Sequence, residues 1–207
     1  MRVCEIFGPS IQGEGPEAGT PTIFLRLSGC NLSCNFCDTK YHKDGKEMSD
    51  NELEDIVNNF LKRGVRHITV TGGEPVLQEK ELSSFLSVFE DCKLSLETNG
   101  TLLTHIPYHT IVVSPKKQSL NFDVLKQYSN HPNAYFKFVW ENENDKWWEN
   151  VISRVGINKE RVYIMAEGKT RDEQLIKMPI VMDYCISKGY KFTPRIHVLA
   201  YNDRRGV

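Results

Sequence analysis

Three of the chain's six cysteines stand close together in the stretch GCNLSCNFCDT, residues 29–39: Cys30, Cys34 and Cys37, spaced C-x3-C-x2-C. Three thiolates in one loop are a metal-binding pattern, and the count selects among metals. A structural zinc site needs four ligands and normally draws them as two pairs. No second C-x2-C exists here, so zinc would have to recruit His42. Buried structural thiols fit poorly, because Asn31, Ser33, Asn35 and Asp38 surround the cysteines with polar groups. A cubane [4Fe–4S] cluster has four irons; three cysteines leave one iron open for a ligand that is not protein. The remaining thiols, Cys4, Cys92 and Cys185, match no ligand spacing and read as small core hydrophobes.

Other loops carry groups that could serve such a centre. TGGEP (71–75) and ETNGT (97–101) each read as a turn after a strand, and glycines there would let a bare backbone approach a ligand. SPKK (114–117) adds two lysines, a residue type that is usually solvated. Upstream, Gln12, Glu14 and Arg26 flank the cysteine loop in a QGEG-containing segment. A Gln, a Glu acceptor and a guanidinium fork suit a flat nitrogen heterocycle bearing a carboxylate, which Arg can clamp in bidentate fashion. A glycine-rich turn is the plainer reading of QGEG.

These loops need elements to position them. Strands are expected at 22–29, 67–71, 93–98, 109–114, 134–140, 161–166 and 195–201. Helices are expected between them: one after the Ser49/Glu52 capping box with Leu53, Ile56, Val57, Phe60 and Leu61 on one face, one around Leu82–Phe89, and others near 121–129, 144–155 and 170–188. Alternating strands and helices predict an α/β fold with a mostly parallel sheet, in which ligands sit beyond the carboxyl ends of the strands. The cysteine loop, TGGEP, ETNGT and SPKK, with 165–168, all fall at such ends. The 207 residues suit a single domain spanning 1–207, with 40% hydrophobic and 26% charged residues. A formal net charge of −1 gives no general attraction to nucleic acid or membrane surfaces, and no apolar run approaches a membrane span. MRVCEIFGPS carries no secretory pattern, so the expected location is the cytoplasm, where thiols stay reduced.

The cysteine spacing, with the aromatic Phe36 before the last cysteine, resembles the radical S-adenosylmethionine (radical SAM) superfamily. Within it, IFGPSIQGEGPEAGTPTIFLRLSGCNLSC (6–34) together with CDT, TGGEP, ETNGT, SPK and the terminal RRGV resembles the 7-carboxy-7-deazaguanine synthases over Ile6–Val207. The resemblance implies an incomplete (β/α)6-type barrel with a mostly parallel sheet. It also implies a [4Fe–4S] cluster, S-adenosylmethionine and Mg²⁺ as cofactors, a homodimer, and an electron donor such as a flavodoxin or ferredoxin. The implied reaction converts 6-carboxy-5,6,7,8-tetrahydropterin to 7-carboxy-7-deazaguanine with loss of ammonia, on the branch leading to queuosine. Carried over residue by residue, Cys30, Cys34 and Cys37 hold the cluster. The backbone around Phe36, Cys37 and Asp38, with Gly73 and Ser114, Pro115 and Lys116, contacts S-adenosylmethionine. Thr39 offers its hydroxyl to Mg²⁺, and Gln12, Gly13, Glu14, Arg26, Thr71 and His197 contact the pterin, with the C-terminal residues closing the far side. The sequence departs from the family pattern at Ala166, where Pro is common, and at Tyr201-Asn202, where Trp-Gly is common. An alternative in the same superfamily is an activase that makes a glycyl radical on a partner protein; a different class would be a non-catalytic metal-binding module.

Overall fold

A computed structural model of the chain describes residues 1–34, 37 and 43–207. Nine strands form one sheet in the order β3-β1-β2-β4-β5-β6-β7-β8-β9. These are β1 (Arg2–Ile11), β2 (Pro21–Leu27), β3 (Lys46–Glu47), β4 (His67–Gly72), β5 (Lys93–Thr98), β6 (Thr110–Val113), β7 (Ala134–Trp140), β8 (Val162–Ala166) and β9 (Lys191–Thr193). From β2 to β9 every neighbouring pair is parallel, while β1 runs antiparallel to β2 and β3 antiparallel to β1. The sheet is therefore mixed but mostly parallel, and it ends at two edges and does not close into a barrel.

Helices α1 (Asp50–Leu61), α2 (Glu79–Leu86), α3 (Phe122–Asn130), α4 (Trp148–Val155) and α5 (Arg171–Lys188) cover one face of the sheet. The strands read as period-2 patterns for this reason. Ile23, Leu25, Leu27, Ile68, Val70, Phe136, Phe138 and Ile164 are buried in the core with Leu53, Val57, Leu82, Phe85, Leu125, Trp148 and Val181 from the helices. Alternate residues point to the sheet's other, concave face, and many of those are polar. The helix starts follow their sequence signals. Ser49 and Glu52 form the expected capping box (Ser49 N–H to Glu52 Oε2, 2.8 Å), and Thr170 with Glu173 forms a second one at the head of α5.

Three expectations need correction. Residues 195–201 are not a strand: Ile196–Tyr201 is helix α6, and the last strand is the short β9 just before it. Pro194 has no N–H for a sheet ladder, so the ladder stops there. The guanidinium of Arg171 then holds the end of α6 by donating to the Leu199 and Ala200 carbonyls at 2.6 and 3.0 Å. Strand β1 has no counterpart among the expected strands. Its Gly8-Pro9 pair argues against a strand, and the structure absorbs it in a register shift between Phe7 and Ser10 on an added antiparallel strand. Of the three unassigned thiols, Cys92 and Cys185 are buried, but Cys4 on β1 is only partly so.

Candidate active site

The loop leaving β2 carries the cysteines, and backbone contacts hold it. Gly73 N–H donates to the Leu27 carbonyl (3.1 Å) and Glu74 N–H to the Gly29 carbonyl (2.9 Å). A Cβ on Gly73 would overlap the Gly29 carbonyl oxygen, and one on Gly72, whose φ is +128°, would overlap Leu27. The paired glycines are thus already required by the chain's own cysteine loop, before any ligand is considered. Glu74, fully buried, ties the next loop to this one: its carboxylate accepts from Val76 N–H (3.1 Å), Thr98 Oγ1 (2.9 Å) and Asn99 N–H (2.7 Å). Burial pushes its carboxyl up, against the pull of those donors. Asn99 in turn donates to Asn31 Oδ1 at 2.9 Å, beside Cys30.

A cavity of about 1170 Å³ opens over the carboxyl ends of the strands. Cys30, Cys34 and Cys37 line it, as do Gln12, Gly13, Glu14, Arg26 and Thr71. Gly73, Ser114, Lys116, His197 and the C-terminal residues 202–207 complete the expected set around the same space. Pro115 instead lines a smaller neighbouring cavity of about 290 Å³. Phe36, Asp38 and Thr39, and with them the magnesium assignment, lie outside the described residues.

The cavity floor is a layer of buried charge. Lys137 Nζ donates to Glu14 Oε2 (2.7 Å) and Glu97 Oε2 (2.8 Å), and Arg195 Nε donates to Glu14 Oε1 (2.9 Å). Gln12 Nε2 reaches Glu97 Oε1 at 3.4 Å, and His197 Nε2 lies 3.8 Å from Glu14 Oε1. The two carboxylates share one lysine yet titrate in opposite directions. Burial pushes Glu14 up, but Lys137 and Arg195 together outweigh it and hold Glu14 well below the usual carboxylate range. Glu97 has Lys137 as its one close cation among the described residues and feels Glu14 as a like charge, so burial wins and its carboxyl is raised. The lysine is pushed up because the two carboxylates outweigh its desolvation.

Arg26 is at the cavity wall but not idle there. Its Nε pairs with Glu5 Oε2 at 3.2 Å, its guanidinium lies 5.9 Å from the Phe7 ring, and Phe7 stacks on Phe24 at 4.9 Å. Arg205 from the C-terminal segment approaches Glu5 Oε1 at 3.7 Å. Lys137, Glu97 and Arg195 were not singled out from sequence. The signal for two of them is visible in retrospect: Lys137 is the one charge inside AYFKFVW, and Glu97 interrupts KLSLET near its end. A charge embedded in a buried strand needs a partner.

The Radical SAM superfamily pattern matches residues 25–155. The 7-carboxy-7-deazaguanine synthase of Pyrobaculum aerophilum is 33% identical, covering 100% of this chain and 97% of the relative. That of Hyperthermus butylicus is 34% identical, covering 96% and 92%. The chain belongs to the 7-carboxy-7-deazaguanine synthase family. Its fold matches that of QueE from Escherichia coli with a TM-score of 0.73 at 21% identity, covering 95% of this chain and 94% of that one. Streptococcus suis SuiB, solved with its precursor peptide SuiA, shares the fold over 83% of this chain and 47% of its own (TM-score 0.59, 15% identity).

As a radical SAM enzyme of this family, the protein uses a [4Fe–4S] cluster and S-adenosylmethionine, and the residues present fit them. Three thiols, none in a disulfide, face one cavity. Donors already point at their sulfurs: Leu32 N–H at 3.4 Å from Cys30 Sγ and Gln118 Nε2 at 3.1 Å from Cys34 Sγ. Such donors suit cluster thiolates.

The opposed titrations make a prediction. Glu14 is depressed below its unfolded value of about 4.3, so its contribution to stability is fully present above that pH and lost as pH falls through the folded value. In urea titrations, Glu14→Gln should be less stable than the parent near neutral pH, with the gap shrinking below about pH 4. A gap that stays constant with pH would show that Glu14 is not held in this way.

Proposed function

We propose that this chain converts 6-carboxy-5,6,7,8-tetrahydropterin to 7-carboxy-7-deazaguanine with loss of ammonia. The observation that carries the reading is that one cavity joins a three-cysteine loop to a floor of paired buried charge, in a chain of this family. When bound, the cluster and S-adenosylmethionine supply one-electron chemistry that removes a hydrogen atom from C6 of the pterin. The protein's own groups hold the substrate. Glu14 and Glu97 accept from ring N–H groups, and Gln12 and Thr71 add neutral partners. Arg26 takes the substrate carboxylate in exchange for part of its pairing with Glu5. His197 and the C-terminal segment close the far side. Gly73, Ser114 and Lys116 face S-adenosylmethionine, and Thr39 supplies a hydroxyl to Mg²⁺, a hard ion that keeps most of its waters. An activase acting on a partner protein is not favoured, because its relatives by name and length are synthases.

The electron donor, of flavodoxin or ferredoxin type, reaches the cluster past the exposed Asn31 and Ser33. Reduced thiols suit the cytoplasm, and among the described residues no helix is long and apolar enough to cross a membrane. The homodimer draws support from α5, where exposed Leu175, Pro179, Met182 and Ile186 recur at i, i+4, i+7 and i+11. Ile186→Asp should shift the sedimenting species toward monomer; an unchanged dimer would place the interface elsewhere.

Anaerobic incubation of reconstituted protein with S-adenosylmethionine, a reductant, Mg²⁺ and the carboxytetrahydropterin tests the reaction itself. The deazaguanine product is expected; cleavage of S-adenosylmethionine with the pterin untouched would contradict the proposal. Arg26→Ala should load the cluster normally but weaken pterin binding roughly 30-fold or more. Unchanged affinity in that variant would leave Arg26 as a partner of Glu5 alone.

A further inference from the structure

Residues 12–20 form a closed loop that projects onto the concave face of the sheet. Its neck is fastened by Gln12 N–H to the Thr20 carbonyl and Gly19 N–H to the Gln12 carbonyl, both at 2.8 Å. Its tip is the 3-10 turn Gly15–Glu17. One side of the turn, Glu14, joins the charged floor of the cavity. The other, Glu17, points to the amino-terminal ends of the strands and enters a buried polar cluster. Ser95 Oγ donates to Glu17 Oε2 at 2.6 Å and Thr110 Oγ1 to Glu17 Oε1 at 2.8 Å. His67 Nε2 lies 2.7 Å from Ser95 Oγ and 3.2 Å from Glu17 Oε2.

The hydrogens of this cluster can be placed. His67 Nδ1 is buried and has no hydrogen-bond partner among the described residues, so the ring uses Nε2 for all its bonding. Ser95 spends its hydrogen on Glu17 and so accepts from His67 Nε2–H. The chain of donors runs from His67 through Ser95 to Glu17, and Thr110 adds a second. Ser95 of β5 and Thr110 of β6 donate to the Glu17 carboxylate directly, and His67 of β4 backs Ser95 while lying 3.2 Å from the same carboxylate. Burial pushes that carboxyl up, and the bonds from His67, Ser95 and Thr110 outweigh it.

We infer that Glu17 is a positioning residue: it pins the tip of the 12–20 loop to the base of three strands and thereby sets the depth at which Gln12 and Glu14 meet the substrate. The other ties of the turn all lie on the cavity side. Gly15 N–H donates to Thr193 Oγ1 (2.7 Å), and the Gly13 carbonyl accepts from Ile196 N–H (3.0 Å); both lead to the β9–α6 side of the cavity. With Glu17 released, the loop keeps its neck, the β9–α6 ties and the pairing of Glu14 with Lys137 and Arg195, but the far side of the turn loses its anchor, and the turn can tilt about Glu14. The inference rests on the pterin reading above, since it assigns Gln12 and Glu14 to the substrate.

Two variants test it, in cluster-loaded protein. Glu17→Ala should raise the KM for the pterin roughly tenfold or more, because displacements of about an ångström in substrate-holding groups have effects of this size or larger. Cleavage of S-adenosylmethionine without pterin should stay within about twofold of the parent, since the cysteine loop is untouched. Amide exchange at Gln12 and Gly19 should speed up. Glu17→Gln, which keeps one carbonyl acceptor, should recover part of the KM. A parent that turns over the pterin, beside a Glu17→Ala protein with parental KM, would overturn the inference even if exchange accelerated, because Glu17 would then serve stability alone; should Glu17→Ala not fold, parental KM with accelerated exchange in Glu17→Gln would overturn it in the same way. A parent that does not turn over the pterin would overturn both the inference and the substrate reading on which it rests.

Discussion

The cavity depends on one buried cation. Lys137 is almost wholly inaccessible, and an unpaired ammonium there would cost several kcal/mol in desolvation. It is tolerated because two carboxylates, Glu14 and Glu97, close on it from a loop and from β5. The dependence is mutual: without the lysine, those carboxylates would face each other as like charges on a largely buried floor. Arg195 completes the set, giving two negative and two positive groups. A balanced layer of this kind presents fixed acceptors and donors to a polar heterocycle without a large net field. Buried pairs seldom add to stability beyond what apolar packing would give, so their value lies in fixing geometry for binding.

The rest of the architecture stacks around that layer. Below it, Glu17, His67, Ser95 and Thr110 join the base of the sheet through buried hydrogen bonds. Above it, Glu74 links the turn after β4 to that after β5, and through Asn99 to the cysteine loop. Three buried or half-buried glutamates, Glu17, Glu14 and Glu74, thus mark three heights on one concave surface. Each is anchored to more than one segment, so the radical-generating end and the substrate floor keep a fixed separation. Radical chemistry needs that rigidity, since a hydrogen atom is taken only from a carbon held against the abstracting group.

Much of this was legible in the sequence where the signal was local. The Ser49–Glu52 capping box, the strands and the C-x3-C-x2-C loop each declare themselves within ten residues. The parallel sheet followed from their alternation, and it set the loops at one end. The failures have physical reasons. Strand β1 hides behind Pro9, and the apolar content of RIHVLAY fits a strand as readily as the short helix that packing selects. The floor was missed because its partners are far apart in sequence: Glu14 meets Lys137 across 123 positions and Arg195 across 181. A lone Lys in a strand shows that a partner is needed but not which one. Arg26 was legible as a site residue, but its resting partner Glu5 was not.

The central claim is that Lys137 and Glu97 act on the substrate as one unit. Pterin affinity in cluster-loaded protein, measured for Lys137→Met, Glu97→Gln and the double variant, tests it most directly. The account predicts that the double variant binds no worse than the weaker single one, a coupling of about 1–3 kcal/mol. Losses that simply add would contradict it, and would show that the two groups act on substrate binding independently.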